Sequence, residues 1–358
     1  MDSQKKSVFG IINLIALCML VLVLSFLPTL SLAGGEDFSL GKIFSSEPSE
    51  FQGILEVWNI DTFEAGSSSK ESFLLEVAKE FQKQNKGTYI IVKNLTIDEL
   101  NLSLQAGKTP DLFSFGFGVG DILKSYLCEI GRSDSKYQAL DESGVVDGKT
   151  FAVGYLLGGY YLFSTQDKIL NAGLDSENII LSEKLNNAGY VKELRNGGKK
   201  VHSVSYGKSL YNTPLKAIEN YYVSAENIKE EEDDFEAYQN FISFESSTIL
   251  LGTQRTLARL ENKVRIGQLD SFLCEVVSSY CDLVQYLGVC KNASELKQKY
   301  AQKFIDMVLS EEMAKTAIKI GMLPANSVSQ ELWTGSSEWL YSLYLKYEED
   351  LFVPKLFS

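Results

Sequence analysis

Arg255 stands in STILLGTQRTLARLENKV, between a short apolar run and residues with helical spacing. A cation in the first turn of a helix faces the partial positive charge of unpaired N–H groups, at a cost of roughly 0.3 to 1 kcal/mol. Such a residue needs a carboxylate, an aromatic face or a bound ligand to offset it. Two carboxylates, Asp61 and Glu64, stand three residues apart in WNIDTFEAG. A pair of acids is the equipment of a glycosidase, but three-residue spacing in a loop fixes no distance between them. His202, in KKVHSVSY, is the only histidine and reads as a half-buried strand residue. One histidine excludes His-rich metal sites, and no serine or cysteine motif accompanies it to make a nucleophilic triad.

These residues belong to a chain of 358, with 45% hydrophobic and 23% charged residues, the balance of a globular protein large enough for two cores. The formal net charge of -13 argues against nucleic acid and anionic lipid as partners, since affinity for phosphate comes from Lys and Arg. Lys5 and Lys6 precede an uncharged run, Val8 to Leu27, followed by Pro28 and TLSLAGG. Ser31 and Ala33 have the spacing of a signal-peptidase site, whereas twenty apolar residues exceed the roughly 7 to 15 of a signal core and can span a bilayer. Residues 1–33 are therefore a signal peptide or an uncleaved anchor, and either places the remainder outside the cytoplasm. Cys18 lies mid-run and makes no lipobox. Beyond it stand Cys128, Cys274, Cys281 and Cys290, with no CxxC pair, so free thiols or a disulfide among the last three both remain open.

A polar linker, 34–52, leads into GILEVWN as a strand and TFEAGSSSK as a loop. Phe73, Leu74, Val77, Ala78 and Phe81 mark one helix face, TYIIVKNL a second strand, and Thr96-Ile-Asp-Glu99 a capping box. PDLFSFG is a third strand. Strand-helix-strand-helix-strand implies an α/β fold with a parallel sheet, whose ligands collect at the carboxyl ends of strands. That rule nominates loops at Trp58–Gly66, Phe115–Gly118 and Gly252–Arg255. KTFAVGYLLGGYYLFSTQ suits a strand leaving one domain for another, and KEEEDDFE reads as a solvated helix face.

Taken together, VWNIDTFEAGSSSKESFLLEVAKEFQKQNKG, AGKTPDLFSFGFGVG, YLLGGYYLF, LLGTQRTLARLENKVRIG, YCDLVQYLGV and FIDMVLSEEMAKTAIKIGMLPAN resemble, in order, the cluster-B extracellular solute-binding proteins of bacterial ABC importers, the group of maltose-binding protein. The resemblance implies a type II periplasmic-binding fold, two α/β lobes with a hinge and an inter-lobe cleft. Lobe one would take 53–158 and 265–320, lobe two 159–264 and 321–358. The cleft would then be lined by Trp58, Asp61, Phe63 and Glu64; by Phe115, Gly116 and Phe117; by Gly158, Gly159 and Tyr160 at the hinge; and by Gly252, Gln254 and Arg255. Sugars present a C–H face and a ring of hydroxyls, so Trp58, Phe115, Tyr160, Tyr206 or Tyr211 would serve as platforms and Asp61, Glu64 and Arg255 as hydroxyl ligands. The implied function is that of a monomeric, non-enzymatic binder of a small solute, a carbohydrate, without metal or cofactor, delivering to the transmembrane subunits of an ABC permease. Relatives often read Gly-Thr-Gln-Arg-Asp; here Thr256 replaces the acid. Two alternatives stand beside this reading: a membrane-anchored degenerate binding module acting in sensing or adhesion, and a hydrolase using Asp61 and Glu64.

Overall fold

A computed structural model describes residues 50–131, 135–175, 179–192, 198–243 and 246–357. The apolar segment Val8 to Leu27, most of the linker, and Phe244 and Glu245 lie outside them. The chain enters as β1 (Gly53–Ile60), whose last four residues are buried. Ser69 then caps α1 (Lys70–Gln84) by accepting from the Ser72 N–H, and Phe73, Leu74, Val77, Ala78 and Phe81 form its buried face. Fully burying a side chain such as Phe73 contributes about 1.5 to 3 kcal/mol, so this stripe fixes the helix on the sheet. β2 (Thr88–Asn94) pairs in parallel with β1. Thr96 and Glu99 make the expected capping box at the start of α2 (Ile97–Gln105), and β3 (Leu112–Gly116) pairs in parallel on the other side of β1.

A small hairpin, β4 (Val145–Val146) and β5 (Lys149–Thr150), precedes β6 (Val153–Leu157) and β7 (Tyr160–Ser164). Then follow β8 (Tyr190–Lys192), β9 (Lys199–Gly207), β10 (Ile228–Glu231), α3 (Asp234–Ile242), β11 (Ser247–Thr253), α4 (Gln254–Arg265), β12 (Leu273–Val276), β13 (Val284–Val289), α5 (Glu295–Val308), α6 (Glu311–Lys319), β14 (Leu323–Pro324) and α7 (Glu338–Asp350). One sheet has the order β14-β6-β13-β3-β1-β2, the other β10-β9-β11-β7-β12 with β8 on β9. Among the described residues no helix is long and apolar enough to cross a membrane. Cys128, Cys274, Cys281 and Cys290 are all free thiols.

Four local expectations need correction. Residues 273–276, given to the first lobe, pair antiparallel with β7 of the second sheet; residues 323–324, given to the second, pair with β6 of the first. Neither long-range pairing has a local signal. The acidic run begins as a strand, because Ile228 to Glu231 align in parallel with Val204 to Gly207; helix starts only at Asp234, capped by Asp233. The nominated loops are also shorter than expected. Trp58 lies inside β1, and β11 runs directly into α4 with Thr253 as the cap, its side chain accepting from the Arg255 N–H.

The chain passes between the sheets at Gly158-Gly159 and returns between β12 and β13. The two crossings are joined where the Gly158 N–H donates to the Leu283 carbonyl at 2.7 Å. A Cβ at Gly158 would strike the Gln254 amide and one at Gly159 the Leu343 side chain, so close approach demands glycine at both. After α7 the tail runs along the return crossing: the Cys281 N–H donates to Phe352, and the Leu356 N–H donates to Ser143 of the first lobe.

Candidate functional site

The carboxyl ends of β1 and β3 meet the amino end of the antiparallel β13 over a buried polar network. Ser114 Oγ donates to Asn59 Oδ1 at 2.7 Å, and Gln285 Nε2 reaches Ser114 Oγ, Asn59 Oδ1 and the Ile60 carbonyl at 2.9 to 3.2 Å. Tyr155, stacked on Phe73, adds its hydroxyl to Ser114. Buried polar groups of this kind hold only when they satisfy one another. The network thus fixes the strand ends from which the 61–67 loop departs.

Asp61, at the start of that loop, lies 3.3 Å from the Lys70 ammonium. Lys70 is 1% exposed, donates to the Phe63 carbonyl and sits 3.5 Å from the centre of the Phe63 ring. Burial lowers its pKa to about 8, with Asp61 pulling the other way. A lysine whose folded pKa lies below its unfolded value of about 10.5 withholds stability at neutral pH and restores it as pH rises. The unfolding free energy of the wild type, less that of Lys70→Met, is therefore expected to increase by a few kcal/mol between about pH 8 and 10.5. Denaturant melts across that range check it.

From the second lobe, α4 meets the same loop. Gln254, 2% exposed, accepts from the Gly159 N–H at 3.0 Å and donates Nε2 to the Glu64 carbonyl at 2.6 Å. Arg255 donates to the Gly66 carbonyl at 3.0 Å, and its Nε lies 3.6 Å from the Glu64 carboxylate. Arg259, one turn on, donates to the same carboxylate at 3.1 Å with its guanidinium over Phe235 and Tyr238. Glu64, across the cleft, is thus what offsets the cation at the helix start. Glu261 is not its partner; that carboxylate accepts from Ser337. Two cavities flank this seam. One of ≈ 390 Å³ is lined by Asp61, Phe63, Glu64, Lys70 and Arg255. The other, of ≈ 360 Å³, lies on the far face of α4, bounded by Ser67, Gln254, Leu257, Glu261, α6 and the residues before α7.

The remaining nominated residues fall into two groups. Gly158, Gly159 and Tyr160 lie at the crossing, where the Tyr160 hydroxyl donates to Asp282 at 2.7 Å. Asp282, 3% exposed, also accepts from the Thr213 N–H (2.7 Å), the Thr213 hydroxyl (2.9 Å) and the Tyr280 hydroxyl (3.0 Å). Trp58, Phe115 and Phe117 are instead buried in the first lobe: Trp58 packs edge-on to Phe113, and Phe115 and Phe117 pack on Tyr286. Gly116 gives room to Thr62, and Gly252 to Thr256. Tyr206 is tied to Glu230, while Tyr211 reaches across to the backbone of Gly118. His202 is half-buried in β9, its Nδ1 3.2 Å from the Glu226 carbonyl.

Lys70, Arg259 and Asp282 were missed from the sequence, yet each left a signal. Lys70 is, like Arg255, a cation in a first helical turn; Arg259 repeats Arg255 one turn later; Asp282 is the lone acid in CDLVQYLGV. No group of three or more His, Cys, Asp and Glu among the described residues is arranged to hold a metal ion.

No family model matches the sequence, and no curated protein does. Solved structures do resemble the fold. An ABC substrate-binding protein of Listeria monocytogenes in complex with cycloalternan superposes with a TM-score of 0.56 at 14% identity, covering 85% of this chain and 88% of its own. The cyclic alpha-maltosyl-1,6-maltose binding protein of Arthrobacter globiformis gives 0.59 at 14% identity, with 86% and 90% covered. A eukaryotic thiaminase-I bound to 3-deazathiamin gives 0.52 at 14% identity, with 84% and 93% covered. The fold is that of the type II periplasmic binding proteins, two α/β lobes about a hinge.

Proposed function

We propose that the protein is an extracytoplasmic solute-binding protein that holds a carbohydrate between its lobes and delivers it to an ABC importer. The observation carrying this reading is the seam itself. Loop 61–67 at the end of β1 and the first turn of α4 converge from opposite lobes, with a cavity on either side. A solute touching both surfaces only when the lobes are together shifts the protein toward closure, because that difference in contact is what biases the equilibrium. The sugar-binding neighbours of like fold support the choice of solute. A working division puts β1–β6, β13, β14, α5 and α6 in lobe one and β7–β12 with α7 in lobe two. The protein acts as a monomer and without catalysis: Asp61 and Glu64, the acids a hydrolase would use, are engaged by Lys70 and by Arg255 and Arg259.

The test is a thermal-shift screen of the full-length protein in uncharged detergent against mono- and oligosaccharides. Saturation at about 100 times the dissociation constant adds roughly 2.7 kcal/mol of stability, so at least one saccharide is expected to raise the melting temperature measurably. A flat response across the panel overturns the reading. It would favour a membrane-anchored sensing module, to which one observation already leans: Trp58, Phe115 and Tyr160 are closed off from solvent.

A further inference from the structure

We infer that the solute is anionic, a small saccharide bearing a carboxylate or phosphate whose charge is met by Lys315 and Lys319 in the cavity between α4, α6 and the residues before α7. The inference rests on the solute-binding reading above and names the chemical class of what is bound.

The cations of the seam's other cavity are already committed. Lys70 faces Asp61, and Arg255 and Arg259 share Glu64. Lys315 and Lys319 differ. Both are exposed and line the ≈ 360 Å³ cavity, one turn apart on the same face of α6, a spacing at which like charges repel weakly and a shared anion relieves the repulsion. Among the described residues neither ammonium has a hydrogen-bond or ion-pair partner, in a chain with 47 acids to 34 bases.

The rest of the cavity suits a sugar ring. Leu257 and Ile318 supply an apolar surface for a C–H face, and the opposite wall presents Glu261 with the Ser337 hydroxyl bonded to it. That acid and the hydroxyl bonded to it offer a donor and acceptors for sugar hydroxyls, away from the two lysines on α6. The volume lies within the range of small-ligand sites, about 300 to 1,000 Å³. A carboxylate or phosphate at the α6 wall accepts charge-assisted hydrogen bonds that a neutral sugar cannot.

Calorimetric titration of the full-length protein at low ionic strength tests this with glucose, galactose and maltose against glucuronate, galacturonate and glucose 6-phosphate. An acidic member is expected to bind at least about tenfold more tightly than its neutral counterpart, consistent with two charge-assisted contacts at a partly exposed site. The uronate and phosphate arms show which anion is preferred. In K315Q/K319Q the ratio of acidic to neutral affinity is expected to fall to near one, and in Lys108→Gln, at an exposed position beyond α2, to persist. Equal or tighter binding of the neutral sugars overturns the inference and leaves the solute-binding reading in place. An anion preference that survives in the double variant also overturns it. Absence of binding by every sugar, neutral and acidic, removes both.

Discussion

Replacing Asp282 with alanine is expected to lower the free energy of unfolding by about 2 to 4 kcal/mol, the range for losing hydrogen bonds to a charged acceptor and leaving a buried donor unpaired. The carboxylate accepts from Tyr160, from the Thr213 N–H and hydroxyl, and from Tyr280. Its removal leaves the buried Tyr160 hydroxyl without an acceptor, at a cost of about 1 to 3 kcal/mol, whereas exposed Thr213 and half-buried Tyr280 keep the bond between their hydroxyls. Asp282→Asn is expected to cost less, since the amide keeps one acceptor oxygen but turns its NH2 toward a backbone N–H that cannot accept. Urea melts of both variants give the comparison. An alanine variant as stable as the wild type would show that the cluster does not hold the crossings. The consequence reaches function, because Tyr160 begins β7 and Asp282 ends the return crossing, so this bond fixes the two crossings against each other.

The second large effect is expected at Gln254, whose side chain bonds both the hinge and the opposing loop. Gln254→Ala orphans the buried Gly159 N–H and releases the Glu64 carbonyl, for an expected loss of about 2 to 4 kcal/mol. Hydrogen exchange at the Gly159 amide is expected to quicken in step. Gln254→Glu separates the two contributions, because a carboxylate still accepts from Gly159 but meets the Glu64 carbonyl oxygen to oxygen. If the glutamate variant matches the wild type, the bond to Glu64 contributes nothing to holding the lobes together.

Much of this arrangement was legible in the residues. The spacing of Phe73 to Phe81, the Thr96–Glu99 capping box and the three apolar strands lead directly to a parallel sheet, since these signals are local and mutually consistent, though not to its order β2-β1-β3. The glycine pair at 158–159 announced a crossing. Arg255 announced a partner through its poor fit to a helix start, although the sequence could not say that Glu64 lay across from it. What stayed hidden depends on pairing over long distances or on strand ends. Residues 273–276 join the second sheet only because β7 lies beside them. Trp58 turned inward because β1 continues two residues past it, and hydrophobic pattern does not set a strand boundary that finely.

Amide hydrogen exchange of the full-length protein, with and without each member of the saccharide panel, tests the central claim most directly. Solute held between the lobes predicts that at least one sugar slows exchange in residues 61–67 and 252–259 together. No slowing in either segment with any sugar, or slowing confined to one lobe, would contradict binding across the seam.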